Sequence, residues 1–114
     1  MIIKKDVDVE EIPVEEEGLK KVTRRILISP EDGLTNIVMR YFKVLPGGHT
    51  PFHSHAHEHV VKIEKGKGKV VDNDGHEFVV GQGQSLLIEG NQKHQFKNPF
   101  QEPFEFLCII LNPE

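Results

Sequence analysis

HSHAHEHVVKIE, His53 to Glu64, alternates from end to end. Histidine takes every second position from His53 to His59, and the same parity runs on into Val61 and Ile63, while Lys62 and Glu64 fall on the other. Successive side chains of a strand point to opposite faces. The second half therefore reads as a strand with Val61 and Ile63 inside and the charges outside, and His59 shares the inward parity.

Working outward, short runs rich in Val, Ile and Phe recur at Lys21–Ser29, Asn36–Leu45, His59–Glu64, Lys69–Asp72, Glu77–Val80, Ser85–Glu89, Gln95–Lys97 and Glu105–Leu111. None keeps a helical period. Turn signals separate them at Pro46-Gly47-Gly48, Asn73-Asp74-Gly75, Glu89-Gly90-Asn91 and Asn98-Pro99. So many short strands in a chain of 114 residues predict an all-β sandwich or barrel. The segment 1–18 is acidic and weakly patterned. We expect an N-terminal edge strand or arm there, exchanged in a dimer if a second subunit takes it, with the barrel over 19–114.

Parity assigns the interior. Lys43 outside puts Arg40, Phe42 and Val44 inside; Glu105 outside sends Phe104, Phe106, Cys108 and Ile110 inward; His94 shares parity with Phe96 and Asn98. Tyr41, Glu58 and Glu64 fall outward, and His49 and His76 fall at turns expected to be exposed. Separate segments thus aim His, Arg, Cys and aromatic groups at one interior.

Buried imidazoles without partners lose their hydrogen bonds to water at about 1–3 kcal/mol each. A metal ion removes that cost, and neutral imidazole is a common ligand for Zn, Cu, Fe and Ni. The alternative is an exposed, tag-like loop with incidental affinity, but His94, on a distant strand with matching parity, argues against it.

The remaining bounds are compositional. A formal charge of -4 argues against a nucleic-acid partner, and Lys4-Lys5, Lys20-Lys21 and Arg24-Arg25 read as solvated faces. No apolar run is long enough to cross a bilayer, so we expect no membrane association and a cytoplasmic location. The single cysteine, Cys108, can form no internal disulfide.

Gly47, His53, His55, His59 and Gly66 stand at spacings that resemble the first motif of the cupin superfamily, with His59 where the commonest version has glutamate. Gly83, Glu89, Asn91, His94 and Asn98 resemble the second, with Glu89 and Asn91 replacing the usual Pro and Gly. Sixteen residues separate Gly66 from Gly83, a spacing usual for the family. With Met39-Arg40 and Phe106-Leu107-Cys108, the chain resembles small four-histidine, manganese-containing cupins of thermophilic bacteria. That resemblance implies a double-stranded β-helix (jelly-roll) barrel as a single domain, a metal in its mouth held by His53, His55, His59 and His94, and a homodimer. Manganese rests on the resemblance alone; Fe, Cu, Ni and Zn suit the imidazoles better.

Four neutral imidazoles leave a divalent ion its full charge, which makes it a stronger attractor of anions and a stronger polariser of bound oxygen. Beside it, Arg40 is expected to clamp an anionic group or to form a salt bridge at the barrel mouth. Cys108 is a catalytic thiol or a small apolar filler. His57, Phe96, Phe106 and Ile110 are expected to line a substrate pocket. The favoured function is a metal-dependent oxygenase of dioxygenase type acting on a small molecule. The alternatives are a noncatalytic metal or small-molecule binding module and a cupin of the sugar isomerase or epimerase type.

Overall fold

The computed structural model describes residues 1–33 and 36–111. It follows the expected pattern, with strand ends within two residues of those expected except for one strand that runs four residues further, to His49. The strands are β1 (Ile12–Pro13), β2 (Lys20–Ile28), β3 (Ile37–His49), β4 (His59–Lys65), β5 (Lys67–Val71), β6 (Glu77–Gly81), β7 (Ser85–Ile88), β8 (Gln95–Lys97) and β9 (Phe104–Leu111). All pairings are antiparallel, in the order β6-β5-β8-β3-β9-β4-β7, with β2 also on β3 and β1 at its outer edge. β1 pairs with β2 of the same chain, Ile12 opposite Arg24. No helix among the described residues is long and apolar enough to cross a membrane.

The sheet is curled over one core, which is what makes it a single-domain jelly roll. Val70, Val80 and Phe96 come from β5, β6 and β8 at one end of the strand order, and they pack in one cluster with Val61, Ile63, Phe104 and Phe106 from β4 and β9. Every inward residue assigned by parity is buried or half-buried: Val44, Val61 and Phe104 are 0% exposed, Ile63 1% and Phe106 2%. Burying each such side chain contributes about 1.5–3 kcal/mol. Asn98 serves the core differently. Its side-chain amide donates to the carbonyls of Val44 and Glu102, both at 2.8 Å, and its Oδ1 accepts from the Phe100 amide at 3.0 Å.

Pro46-Gly47-Gly48 is not the strand break expected. β3 continues through it to His49, and the register against β2 slips there from Val22↔Val44 to Lys20↔His49. The feature is a bulge, where β3 leaves the ladder of β9 and reaches β8 through His49↔Lys97. Glycine is required for it: Gly47 has φ +84°, and a Cβ on Gly48 would lie 2.6 Å from the Lys20 carbonyl oxygen. His49 is accordingly a half-buried strand residue, not an exposed turn residue, whereas His76 is exposed as expected.

Candidate metal and ligand site

Two loops carry the histidines to one end of the barrel. His53 lies in the β3–β4 connection and His94 just before β8, and their backbones form a reciprocal pair, His53 N to His94 O at 3.1 Å and His94 N to His53 O at 2.9 Å. The His55 carbonyl accepts from the Asn91 amide at 2.6 Å, which ties the same two loops together one step further on. His59 opens β4 opposite Ile88 of β7 and is 6% exposed. Ring centroids of His53 and His55 stand 4.4 Å apart, His59 and His94 4.8 Å, His55 and His59 5.2 Å, and His53 and His94 5.3 Å. His57 stacks on His55 at 5.2 Å and lies 5.0 Å from His59.

Three of these rings, His55, His59 and His94, are held in the neutral form at neutral pH. Burial, with His94 and Arg40 nearby, lowers His59 to about 3. Burial and the neighbouring His53 lower His55 to about 4. His94 is lowered by burial against the opposing effect of its hydrogen bond to Gln92. Each therefore keeps a lone pair for an electrophile. His94 Nδ1 lies 3.0 Å from the Gln92 carbonyl oxygen. A carbonyl can only accept, so the proton sits on Nδ1 and the lone pair on Nε2. His59 Nδ1 is buried with no hydrogen-bond partner among the described residues.

The donor set and this orphaned nitrogen fit a metal ion. The rings are side by side without having converged, however. Among the described residues, the only His, Cys, Asp or Glu trio with ligand atoms all within 4.8 Å of one another is Asp72, Asp74 and His76. That trio occupies the β5–β6 turn, where Asp72 Oδ1 already accepts from the Asp74 and His76 amides at 3.0 and 2.9 Å. Gathering the imidazoles around one ion requires side-chain rotation.

The histidines face a cavity of about 180 Å³, room for roughly six water molecules at ~30 Å³ each. His53, His55, His59, His94, Arg40 and Cys108 all line it, and so do Phe96 and Phe106. His57 and Ile110 do not border it. His57 sits behind His55, and Ile110, paired with Val38, belongs to the core. Phe96 and Phe106 stack at 4.5 Å and wall the cavity with apolar surface. Arg40 makes no ion pair among the described residues. One Nη donates to Cys108 Sγ at 3.1 Å, and the guanidinium carbon stands 5.0 Å from the Phe42 ring centroid. Burial pushes the Cys108 thiol up, although Arg40 pulls the other way.

The polar residues lining the cavity that lie outside the expected set are Glu16, Arg24 and Thr50. The Arg24-Arg25 pair is not uniformly solvated. Arg25 faces outward toward Glu11, while Arg24 has the inward parity of buried Val22. That alternation is the one sequence signal that separates the two. For Glu16, whose Oε2 stands 3.9 Å from His53 Nδ1, no local signal existed.

Comparisons with known proteins agree with this architecture. The Cupin domain family matches residues 40–110. A 1-methylthio-D-xylulose 5-phosphate methylsulfurylase of Rhodospirillum rubrum is 39% identical over 98 residues, covering 83% of this chain and 61% of that protein. The chain thus spans about three fifths of the length of that curated relative. Among solved structures, the polyketide cyclase RemF from Streptomyces resistomycificus superposes with a TM-score of 0.94 at 32% identity, covering 100% of this chain and 82% of that one. A cupin-2 domain of Rhodospirillum rubrum gives 0.83 at 33% identity, covering 96% and 74%. The chain belongs to the Cupin domain family.

Proposed function

We propose that this cupin is a metal-dependent enzyme for a small anionic molecule, with His53, His55, His59 and His94 as the residues that hold the ion. The observation that carries the reading is the buried, unpartnered Nδ1 of His59 among neutral imidazoles beside a cavity of about 180 Å³. Manganese is the ion that the sequence resemblance implies; Fe, Cu, Ni and Zn are the others that the donor set accepts. A divalent ion there supplies Lewis acidity and, where it is redox-active, access to dioxygen chemistry.

The protein's own groups bind and orient. Arg40 presents a guanidinium fork to an anionic group of the substrate. Its plane is held by the Phe42 ring and by the contact with Cys108 Sγ. Phe96 and Phe106 keep water from the apolar side, which strengthens electrostatic interactions inside the cavity. Glu16 is the carboxylate at the cavity wall, placed to hold or release a proton.

The oxygenase reading remains the first form of this proposal. The 39% identity to a 1-methylthio-D-xylulose 5-phosphate methylsulfurylase favours a second: a group-transfer reaction on a methylthio sugar phosphate. Elemental analysis of untagged protein, followed by assay of metal-reconstituted protein against small acids, diketones and methylthio sugar phosphates, separates the two. Oxygen uptake coupled to substrate loss supports the oxygenase, and equal turnover without oxygen supports the other. His94→Ala is expected to lose the metal. A variant that keeps a full equivalent refutes the ligand set, and absence of turnover with every metal leaves a binding module.

A further inference from the structure

We propose that Arg24 and Arg40 together form a two-guanidinium seat for the phosphate monoester end of the substrate, which makes Arg24 a specificity-determining residue. The proposal rests on the reading of this cavity as a substrate site. The geometry begins with the β2–β3 ladder. Arg24 stands opposite Phe42 and Ile26 opposite Arg40, so the two arginines are diagonal neighbours on one face. Such neighbours have Cα atoms about 7–8 Å apart, a span from which two long guanidinium stems converge on one tetrahedral anion. Both side chains line the same cavity.

Their unmet hydrogen bonding points to a ligand. Arg24 Nε and Arg40 Nε are both buried without a partner among the described residues. Arg24 has no hydrogen bond or ion pair there at all, and Arg40 has only the Cys108 sulfur, a weak acceptor. The outward cations of the same two strands are treated differently. Arg25 donates to the Asp6 carbonyl at 2.8 Å and pairs with Glu11 at 3.4 Å, and Lys43 pairs with Glu11 at 3.3 Å. Arg25 and Lys43 thus find anionic or carbonyl partners within the chain, whereas Arg24 and Arg40 have none among the described residues beyond the Cys108 sulfur. Arg24 and Arg40 are both half-buried, and a buried guanidinium nitrogen without a partner is costly; among the described residues, Glu16 is the one carboxylate at the cavity wall.

The choice of anion follows from charge and oxygen count. Two guanidiniums carry two positive charges and offer two forks. A phosphate monoester dianion offers two negative charges and three free oxygens, enough to engage both forks, whereas a carboxylate offers one charge and two oxygens and saturates one.

The test is calorimetric titration of the full chain with inorganic phosphate and, in parallel, with acetate, using metal-loaded protein and protein freed of metal and chelator. Phosphate is expected to bind in both states and more tightly than acetate. Arg24→Gln is expected to weaken phosphate at least about tenfold while metal content and the circular dichroism spectrum stay those of wild type. Arg24→Lys, which keeps charge and stem but loses the fork, is expected to fall between them and serves if Arg24→Gln folds poorly. Wild-type affinity in both variants overturns the proposal, as does phosphate binding only when metal is present, or acetate binding as tightly as phosphate. Failure of the metal reading is separate: a wild-type protein that takes up no metal and still binds phosphate through Arg24 refutes the histidine site and leaves the arginine seat intact.

Discussion

Acid should destabilise the metal-free protein well above the range in which its carboxylates titrate, and His59 should account for much of the effect. Its imidazole is 6% exposed and lowered by burial to about 3, from an ordinary 6.5. Below the ordinary value the unfolded chain takes up a proton that the folded protein refuses. Stability is therefore fully present above about pH 6.5 and is lost as pH falls toward 3. Each pH unit in that window costs about 1.4 kcal/mol per histidine. At about pH 5, some 1.5 units into the window, His59 should have cost about 2 kcal/mol. His55, lowered to about 4, acts in the same direction, discounted to about 1 kcal/mol for its greater exposure. Glu11, Asp32 and Glu77 are held below their ordinary values by their hydrogen bonds and cations. Their stabilisation is lost only below about pH 4.5, so the two effects separate. Urea unfolding of chelator-treated protein, followed by circular dichroism at about pH 7.5 and about pH 5, should show a midpoint drop of about 1–3 M for wild type. In His59→Gln the loss should be smaller by about 2 kcal/mol. An equal loss in the two proteins would refute the burial of a neutral imidazole at this position.

Three other perturbations test the frame around the site. Asn98→Ala should cost about 2–3 kcal/mol by urea unfolding, because it strands the Val44 carbonyl in the core, yet leave metal content unchanged. Gly48→Ala should cost at least about 2 kcal/mol, since its Cβ would press on the carbonyl oxygens of Lys20, Leu45 and Lys21; stability equal to wild type would show that the bulge can open without strain. Cys108, 3% exposed with its thiol pushed up, should react with a thiol reagent at least about a hundredfold more slowly than the unfolded chain. Rapid labelling of native protein would instead show a reactive thiolate at the cavity wall.

The strands and the inward set were legible because alternation is a local signal anchored by charges. Lys43, Lys62 and Glu105 fixed the outer faces, and Val44, Val61, Ile63, Phe104 and Phe106 followed on the inner ones. Pro46-Gly47-Gly48 misled because the same residues punctuate turns and bulges; what distinguishes the two here is the partner strand, which lies 28 positions before Gly48 at Lys20. The candidate site was legible where it lay on regular strands or in a histidine repeat. It was illegible at Glu16, which reaches the cavity only because residues far apart in sequence fold together.

Arg24 marks the boundary between these cases. Read as half of Arg24-Arg25, it is a surface cation; read as two positions beyond Val22, it is an interior one. The structure sides with parity, because a strand twists too little within two residues to carry a side chain from one face to the other. The general consequence is that adjacent cations on the regular part of a strand are turned to opposite faces. In a half-buried strand one of the two faces the core, and that one must find an anion or carry the cost of burial alone. Arg25 has found Glu11, and no described residue does the same for Arg24.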